Sequence, residues 1–170
     1  LIWQTNTEPQ TSGHSQPPVL ASVILQLVSL GSGYDLRKAR EIFPRLMAYH
    51  RWFTSARDPK RTGVIGIIHP WESGRDNCPD WDIGMKGITV PDNLMPYKRR
   101  DTSHIDSEQR PTQAQYDRFI TIVQFGREVK WDHQAIHARG PFLMADPGVQ
   151  FILLRACRDL LELARLLDMN

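Results

Sequence analysis

The sequence predicts an all-α protein, on three observations. Apolar residues recur at three- and four-residue spacing in several segments. One short β-branched run, VIGII at 64–68, is the single strand candidate, and no strand–helix–strand alternation accompanies it. Long stretches without periodicity, 84–111 above all, connect the helical segments, so the helices read as a scaffold that presents loops.

Residues 1–18 are polar and carry Pro9, Gly13, Pro17 and Pro18, the chemistry of an irregular loop. Pro17 and Pro18 suit the first turn of a helix, where a missing amide hydrogen costs little, and 19–30 follows as a mostly apolar, buried helix. That helix stops at GSGYD, 31–35. Asp35 then caps a segment in which Leu36, Ala39, Ile42 and Phe43 share a face. Pro44 removes a backbone donor and disfavours helix at Phe43, so it divides the segment into a short helix and a longer one carrying Leu46, Tyr49, His50 and Phe53. RDPKRTG, 57–63, is a turn. Thr112 caps a further helix whose face holds Tyr116, Phe119, Ile120 and Val123. In the last helix Val149, Ile152, Ala156, Leu160, Leu163 and Leu167 form an apolar stripe, with Arg155, Arg158, Asp159, Glu162 and Arg165 on the other side.

The composition, 41% hydrophobic and 24% charged over 170 residues, is that of a globular domain. Its 21 basic and 19 acidic residues are interspersed, for a net charge of +2, so no basic patch marks nucleic acid or anionic lipid as a partner. The longest apolar run, around 19–30, is broken by Ser22, Gln26 and Ser29 and falls short of the roughly 20 residues a bilayer crossing needs. Cys78 and Cys157 form neither a disulfide framework nor a zinc pattern, which suits a reducing, cytoplasmic setting. The chain opens at Leu1 in mid-phrase and reads as a piece of a longer protein.

The segment HPWESGRDNCPDWD, 69–82, crowds Glu72, Asp76, Asp80 and Asp82 beside Trp71 and Trp81. A calcium loop opening at Asp76 would need Gly at its sixth position and Glu at its twelfth, where Trp81 and Gly87 stand, so no metal is expected. His133 and His137, four apart, lack the Glu of a zinc-binding His-Glu-x-x-His and read as a solvent-facing pair. Acids beside indoles suit carbohydrate chemistry instead. A carboxylic acid protonates a glycosidic oxygen, and flat aromatic faces pack on sugar rings and raise a neighbouring acid's pKa by excluding water. Gly74 lets a backbone approach a ligand closely. The residues alone leave a solvated acidic loop as the competing reading.

IIHPWESGRDNCPDWD, 67–82, resembles the acid-bearing segment of glycoside hydrolase family 63, whose bacterial members include mannosylglycerate and glucosylglycerate hydrolases. Its core, Glu-Ser-Gly-x-Asp, is shared with the trehalases. SQPPVLA (15–21), FPRLMAYHRWF (43–53), YKRRDTSHID (97–106), RPTQAQYDRF (110–119) and RACRDLLELARLL (155–167) are similar to the same family in the same order. The resemblance implies part of a six-hairpin (α/α)6 toroid with long loops carrying the site. It further implies cofactor-free hydrolysis of an α-glucosidic or α-mannosidic bond with inversion, by an Asp general acid and a Glu general base. The acid falls on Asp76. Trp71 and Gly74 take sugar-contacting positions, and Gln16 matches a Gln that contacts the sugar whose bond is cut. Arg110 and Tyr116 match a pair that holds the substrate carboxylate in the glycerate-glycoside hydrolases, and His69 is expected to line the same concave surface. Arg75 and Cys78 depart from the commoner residues on the acceptor side and bear on substrate choice.

Each assignment has a plainer competitor. Asp76 also reads as a helix cap, Trp71 and Trp81 as core (preferred for Trp81), and Arg110 as the surface partner of Asp106 or Glu108. A twelve-helix toroid needs roughly twice this length at ~12 residues per helix. Residues 1–170 are therefore expected to be a single incomplete catalytic domain, with 84–111 as a substrate-facing loop and the general base in the remainder of the parent chain. Glu108, Glu128 and Glu162 are the nearest carboxylates within it and sit in no motif. The expected partner is an α-linked glycoside, with a small acidic aglycone such as glycerate suggested by Arg110 and Tyr116. Neither nucleic acid nor membrane is expected. The alternatives are a non-catalytic helical interaction module and a phosphorylase or epimerase on the same toroid.

Overall fold

The computed structural model describes residues 13–31, 36–103 and 105–169. They form six α-helices: α1 (Leu20–Ser29), α2 (Leu36–Trp52), α3 (Asp82–Lys86), α4 (Gln113–Glu128), α5 (His133–Arg139) and α6 (Pro147–Leu166). No strand forms among the described residues. The extended run at 64–68 makes a single antiparallel bridge, in which the Ile67 N–H donates to the Met144 carbonyl at 2.8 Å and the reverse bond is 3.1 Å. Two compact units result, one holding residues up to Gln16 with Ile67–Met144, the other Pro17–Gly66 with Ala145 onward. No helix among the described residues is long and apolar enough to cross a membrane.

The second unit is built on α1, α2 and α6. Ala21 and Ile24 of α1, Phe43 and Leu46 of α2, and Leu160 and Leu163 of α6 meet in one core. α1 begins at Leu20, so Pro17 and Pro18 precede its first turn and do not form it. α2 runs unbroken through Pro44, against the expected division there. Its buried residues Ala39, Phe43, Leu46 and His50 keep helical spacing across the exposed proline, and the packing of that face outweighs one missing backbone donor. Asp35 and the turn after Gly31 lie outside the described residues. Asp58 closes the turn at 57–63 by accepting the Thr62 and Gly63 amides, each at 2.8 Å.

α6 opens on Pro147 with Asp146 as its cap. Its buried face is Val149, Leu153, Ala156, Asp159, Leu160 and Leu163, so Leu153 is more deeply buried than Ile152, and Asp159 is not on the solvent side. A 3.6-residue turn places position 159 in the stripe with 156 and 163, and its carboxylate is satisfied there by Arg155 at 2.8 Å.

The first unit is built around α4 and α5. Thr112 caps α4 as expected, and Gln115 completes a capping box with it. Phe119 and Ile120 are buried along it, while Ile68, Trp131 and Ile136 form a small core with Val123 packed against them. In the segment 84–111, α3 takes the first three residues and Ser107–Gln109 a short 3-10 turn. Trp131 lies with its ring 4.7 Å from that of His14.

A Cβ added at Gly126 of α4 would stand 2.3 Å from the Trp131 ring. Gly126→Ala is therefore expected to destabilise the protein by about 1–3 kcal/mol, despite the better helix propensity of alanine. Urea unfolding reads the effect, and a stabilised variant would contradict this packing.

Candidate active site

Glu72 fixes the geometry of the site. Its side chain has 0% exposure and accepts two backbone amides, Ser15 at 2.6 Å and Ile68 at 2.8 Å. A buried carboxylate needs such partners, and meeting the need draws the chain around Ser15 onto the turn Pro70–Glu72. Gln16 then donates from its side chain to the Trp71 carbonyl at 3.0 Å. Ser73 donates to the Pro70 carbonyl at 2.6 Å and accepts the Arg75 amide at 2.9 Å. Gly74 follows in the left-handed region, at φ +73°, where a side chain would be strained.

His69 does not face the cavity with the other candidates. It has 0% exposure, its Nδ1 accepts the Trp71 amide at 3.0 Å, and its Nε2 lies 3.1 Å from the Phe119 carbonyl, to which it donates. Both nitrogens are thus committed within the protein, and no surface is left for a ligand. Burial, reinforced by His14, holds its pKa well below the ordinary 6.5, more than the Phe119 carbonyl can restore. A neutral imidazole behind Trp71, ring centroids 4.3 Å apart, braces the indole that a ligand would meet.

The other six candidate residues come together. Gln16, Trp71, Gly74, Asp76, Arg110 and Tyr116 line one cavity of about 380 Å³ with His14 and Asp101. A second cavity of about 220 Å³ shares Asp76 and Arg110 and adds Asn77, Cys78, Glu108 and Gln109 to its walls. Asp76 is half-buried, and that burial pushes its carboxyl above the usual range while the charge of Arg110 pulls it back. It caps no helix among the described residues, since the turn that follows, Pro79–Trp81, begins after Cys78. Trp81 is core: 3% exposed, with its indole N–H donating to the Arg75 carbonyl at 2.8 Å. Arg75 and Asp80 form an exposed pair at 3.0 Å.

Arg110 pairs with neither Asp106 nor Glu108. Its Nε donates to Asp101 at 3.3 Å. The same carboxylate takes two bonds from Arg99, 3.1 Å to Nε and 2.7 Å to Nη2, and Arg99 above all holds it down to about 2. Arg99 also lies 4.5 Å over the ring of Tyr116, which Tyr97 stacks at 5.5 Å. From sequence, the basic run at 98–100 followed by Asp101 reads as a solvated or substrate-facing loop, with no individual role for Tyr97, Arg99 or Asp101. Of the carboxylates considered as a base, Glu128 accepts from Gln124 at 3.1 Å, and Glu162 pairs with Arg165 at 3.2 Å. The described residues hold no group of three metal-ligating side chains.

A carboxyl held toward its protonated form, an indole face and an anchored guanidinium in one cavity make a site able to protonate and orient an anionic or polyhydroxylated ligand. The fold defines the class. A crystal structure of glycoside hydrolase family 63 mannosylglycerate hydrolase from Thermus thermophilus, in complex with Tris and D-glycerate, superposes with a TM-score of 0.89 at 44% identity, over 96% of this chain and 40% of that one. The glucose complex of that enzyme gives 0.85 at 44% identity, over 94% and 39%. The chain therefore has the fold of part of the (α/α)6 toroid of that family.

Residues 1–170 match the mannosylglycerate hydrolase MGH1-like glycoside hydrolase domain, and the chain belongs to that family. Mannosylglycerate hydrolase of Thermus thermophilus is 44% identical over 98% of this chain and 41% of its own length. Mannosylglycerate hydrolase MGH1 of Selaginella moellendorffii is 40% identical over 96% and 34%. Glucosylglycerate hydrolase of Mycolicibacterium hassiacum is 34% identical over 90% and 36%. The chain thus spans between 34% and 41% of the length of these relatives.

Two stability measurements test the frame of the site. Glu72→Gln replaces one acceptor oxygen by an amide donor aimed at a backbone N–H, with an expected loss of about 1–3 kcal/mol in urea unfolding. His69 is neutral when folded but takes a proton near pH 6.5 when unfolded. Stability should accordingly fall as pH drops below about 6.5, by up to about 1.4 kcal/mol per pH unit, until the lowered folded pKa is reached. A stability curve flat from pH 7 to 5, with no change of slope in His69→Gln, would contradict the buried neutral imidazole.

Proposed function

We propose that residues 1–170 are the acid-bearing part of an inverting α-glycosidase whose substrate is a glucosyl or mannosyl unit on a small acidic aglycone such as glycerate. One observation carries this: Asp76, its carboxyl raised by burial, shares a cavity with the Trp71 indole and the Arg110 guanidinium. The names of the relatives, mannosylglycerate and glucosylglycerate hydrolases, support the substrate class, as does the D-glycerate in one solved neighbour.

In this mechanism Asp76 gives its proton to the glycosidic oxygen as the bond to the anomeric carbon breaks, and the aglycone departs as an alcohol. The sugar packs on Trp71, with Gln16 as a hydrogen-bonding side chain and Gly74 admitting the ring close to the backbone. Arg110 meets the aglycone carboxylate with two parallel N–H bonds, assisted by the Tyr116 hydroxyl. Water attacks the opposite face of the sugar and loses its proton to a Glu about 6.5–9.5 Å from the acid. That base is assigned to the parent chain outside residues 1–170. The segment 84–111 forms the substrate-facing wall, contributing Asp101 and Arg110 to the cavity. Arg75 and Cys78 shape the acceptor side. The free thiols of Cys78 and Cys157 fit a reducing compartment such as the cytoplasm.

In the full-length protein, Asp76→Asn is expected to lower kcat on glycerate glycosides by about 10²–10⁴-fold. It should depress hydrolysis of the matching α-glycosyl fluoride far less, because fluoride needs little help in leaving. The acid works only while protonated, so wild-type activity should fall as pH rises through a pKa above the ordinary carboxylate range. Equal losses on both substrates, or none, would remove Asp76 from the acid's role.

A further inference from the structure

The two residues assigned to the aglycone carboxylate share a partner that neither the family resemblance nor the proposed reaction includes. Asp101, its side chain 10% exposed, accepts the Nε–H of Arg110 at 3.3 Å. It is held in turn by both Nε and Nη2 of Arg99, and Arg99 donates to the Pro111 carbonyl at 2.8 Å, beside Arg110 in the chain. The Arg99 guanidinium covers the Tyr116 ring. Arg110 and Tyr116 are thus tied to one carboxylate, directly in one case and through Arg99 in the other.

An arginine offers donors on two edges, one made of Nε with a terminal nitrogen and one made of the two terminal nitrogens. With Nε taken by Asp101, the terminal pair remains for a planar carboxylate. Resting on the reading of the site given above, we propose that Asp101 is a positioning residue that sets the specificity for an acidic aglycone. It fixes which edge of Arg110 meets the ligand.

The charges make this testable, because they oppose the geometry. Asp101 with Arg99 and Arg110 carries a net charge of +1, matched to one carboxylate. Asp101→Asn raises that to +2, so binding governed by charge alone would tighten. Binding governed by orientation loosens.

The test uses the full-length protein and two substrates, an α-glucosyl- or α-mannosylglycerate and the same glycoside of glyceramide, in which a carboxamide replaces the carboxylate. The readout is the ratio of kcat/KM for the acid to that for the amide. Asp101→Asn is expected to lower this ratio about ten- to hundredfold, through KM of the acid more than through kcat. Asp101→Glu, which keeps the charge but moves it by one methylene, should lower it severalfold, and it decides the matter if the Asn variant does not fold. A ratio that is unchanged or increased, or an equal fall on both substrates, overturns the proposal. Arg110→Gln separates the two levels. If it leaves the ratio intact, the acidic-aglycone reading fails and this inference with it; if it collapses the ratio while Asp101→Asn and Asp101→Glu do not, only the inference fails.

Discussion

The candidate site depends on the two backbone amides that converge on Glu72. A fully buried carboxylate with a missing partner would cost more than the local turn is worth, so the Ser15 and Ile68 amides must both be in place when this region folds. That requirement joins segments 57 residues apart, and it puts Gln16 against Trp71 before any ligand is present. Glu72 is thereby occupied with structure. Asp76, four residues on, emerges at the cavity because Glu72 holds the turn before it.

A second layer of order comes from aromatic contacts running from Trp131, between α4 and α5, toward the cavity. Trp131 meets His14, His14 meets His69 with centroids 4.7 Å apart, and His69 meets Trp71, which also touches Phe119 and Tyr116 of α4. The indole is fixed from behind by packed rings, of which His69 is hydrogen-bonded through both nitrogens. A flat surface held this way loses little conformational entropy when a ligand settles on it. Neutral His69 is essential to the arrangement, because an imidazolium at that depth could not accept the Trp71 amide.

Features set by neighbours in the chain were legible in the sequence. The Thr112 cap and the apolar stripe of α6 follow from spacing and residue type, and the core position of Trp81 agrees with the absence of a sugar contact for it in the family resemblance. Features decided by tertiary packing were not. Pro44 reads as a break, yet the buried face of α2 continues across it. Asp159 reads as lying toward solvent, yet it is satisfied inside by Arg155. His69 sits in the most specific motif of the chain, and only its hydrogen bonds to Trp71 and Phe119 reveal that it supports the site from behind. Asp101 reads as part of a solvated or substrate-facing loop, and its pairing with Arg99, two residues before it, and Arg110, nine after it, emerges only in the fold.

Within the cavity, two carboxyls are driven in opposite directions by their surroundings. Asp101 sits between two guanidinium groups and stays ionised to about pH 2, whereas Asp76 is raised by burial, against the lowering effects of Arg110 and of its own backbone amide. Environments that push two titratable groups apart assign them separate tasks. The strongly ionised Asp101 is suited to holding cations in fixed orientations, and Asp76, shifted upward by burial, suits the acid's part in the reaction proposed above. Arg110 stands between the two and acts on both. One guanidinium is therefore shared by the two carboxyls: it donates to Asp101, and its charge lowers the pKa of Asp76 against the effect of burial.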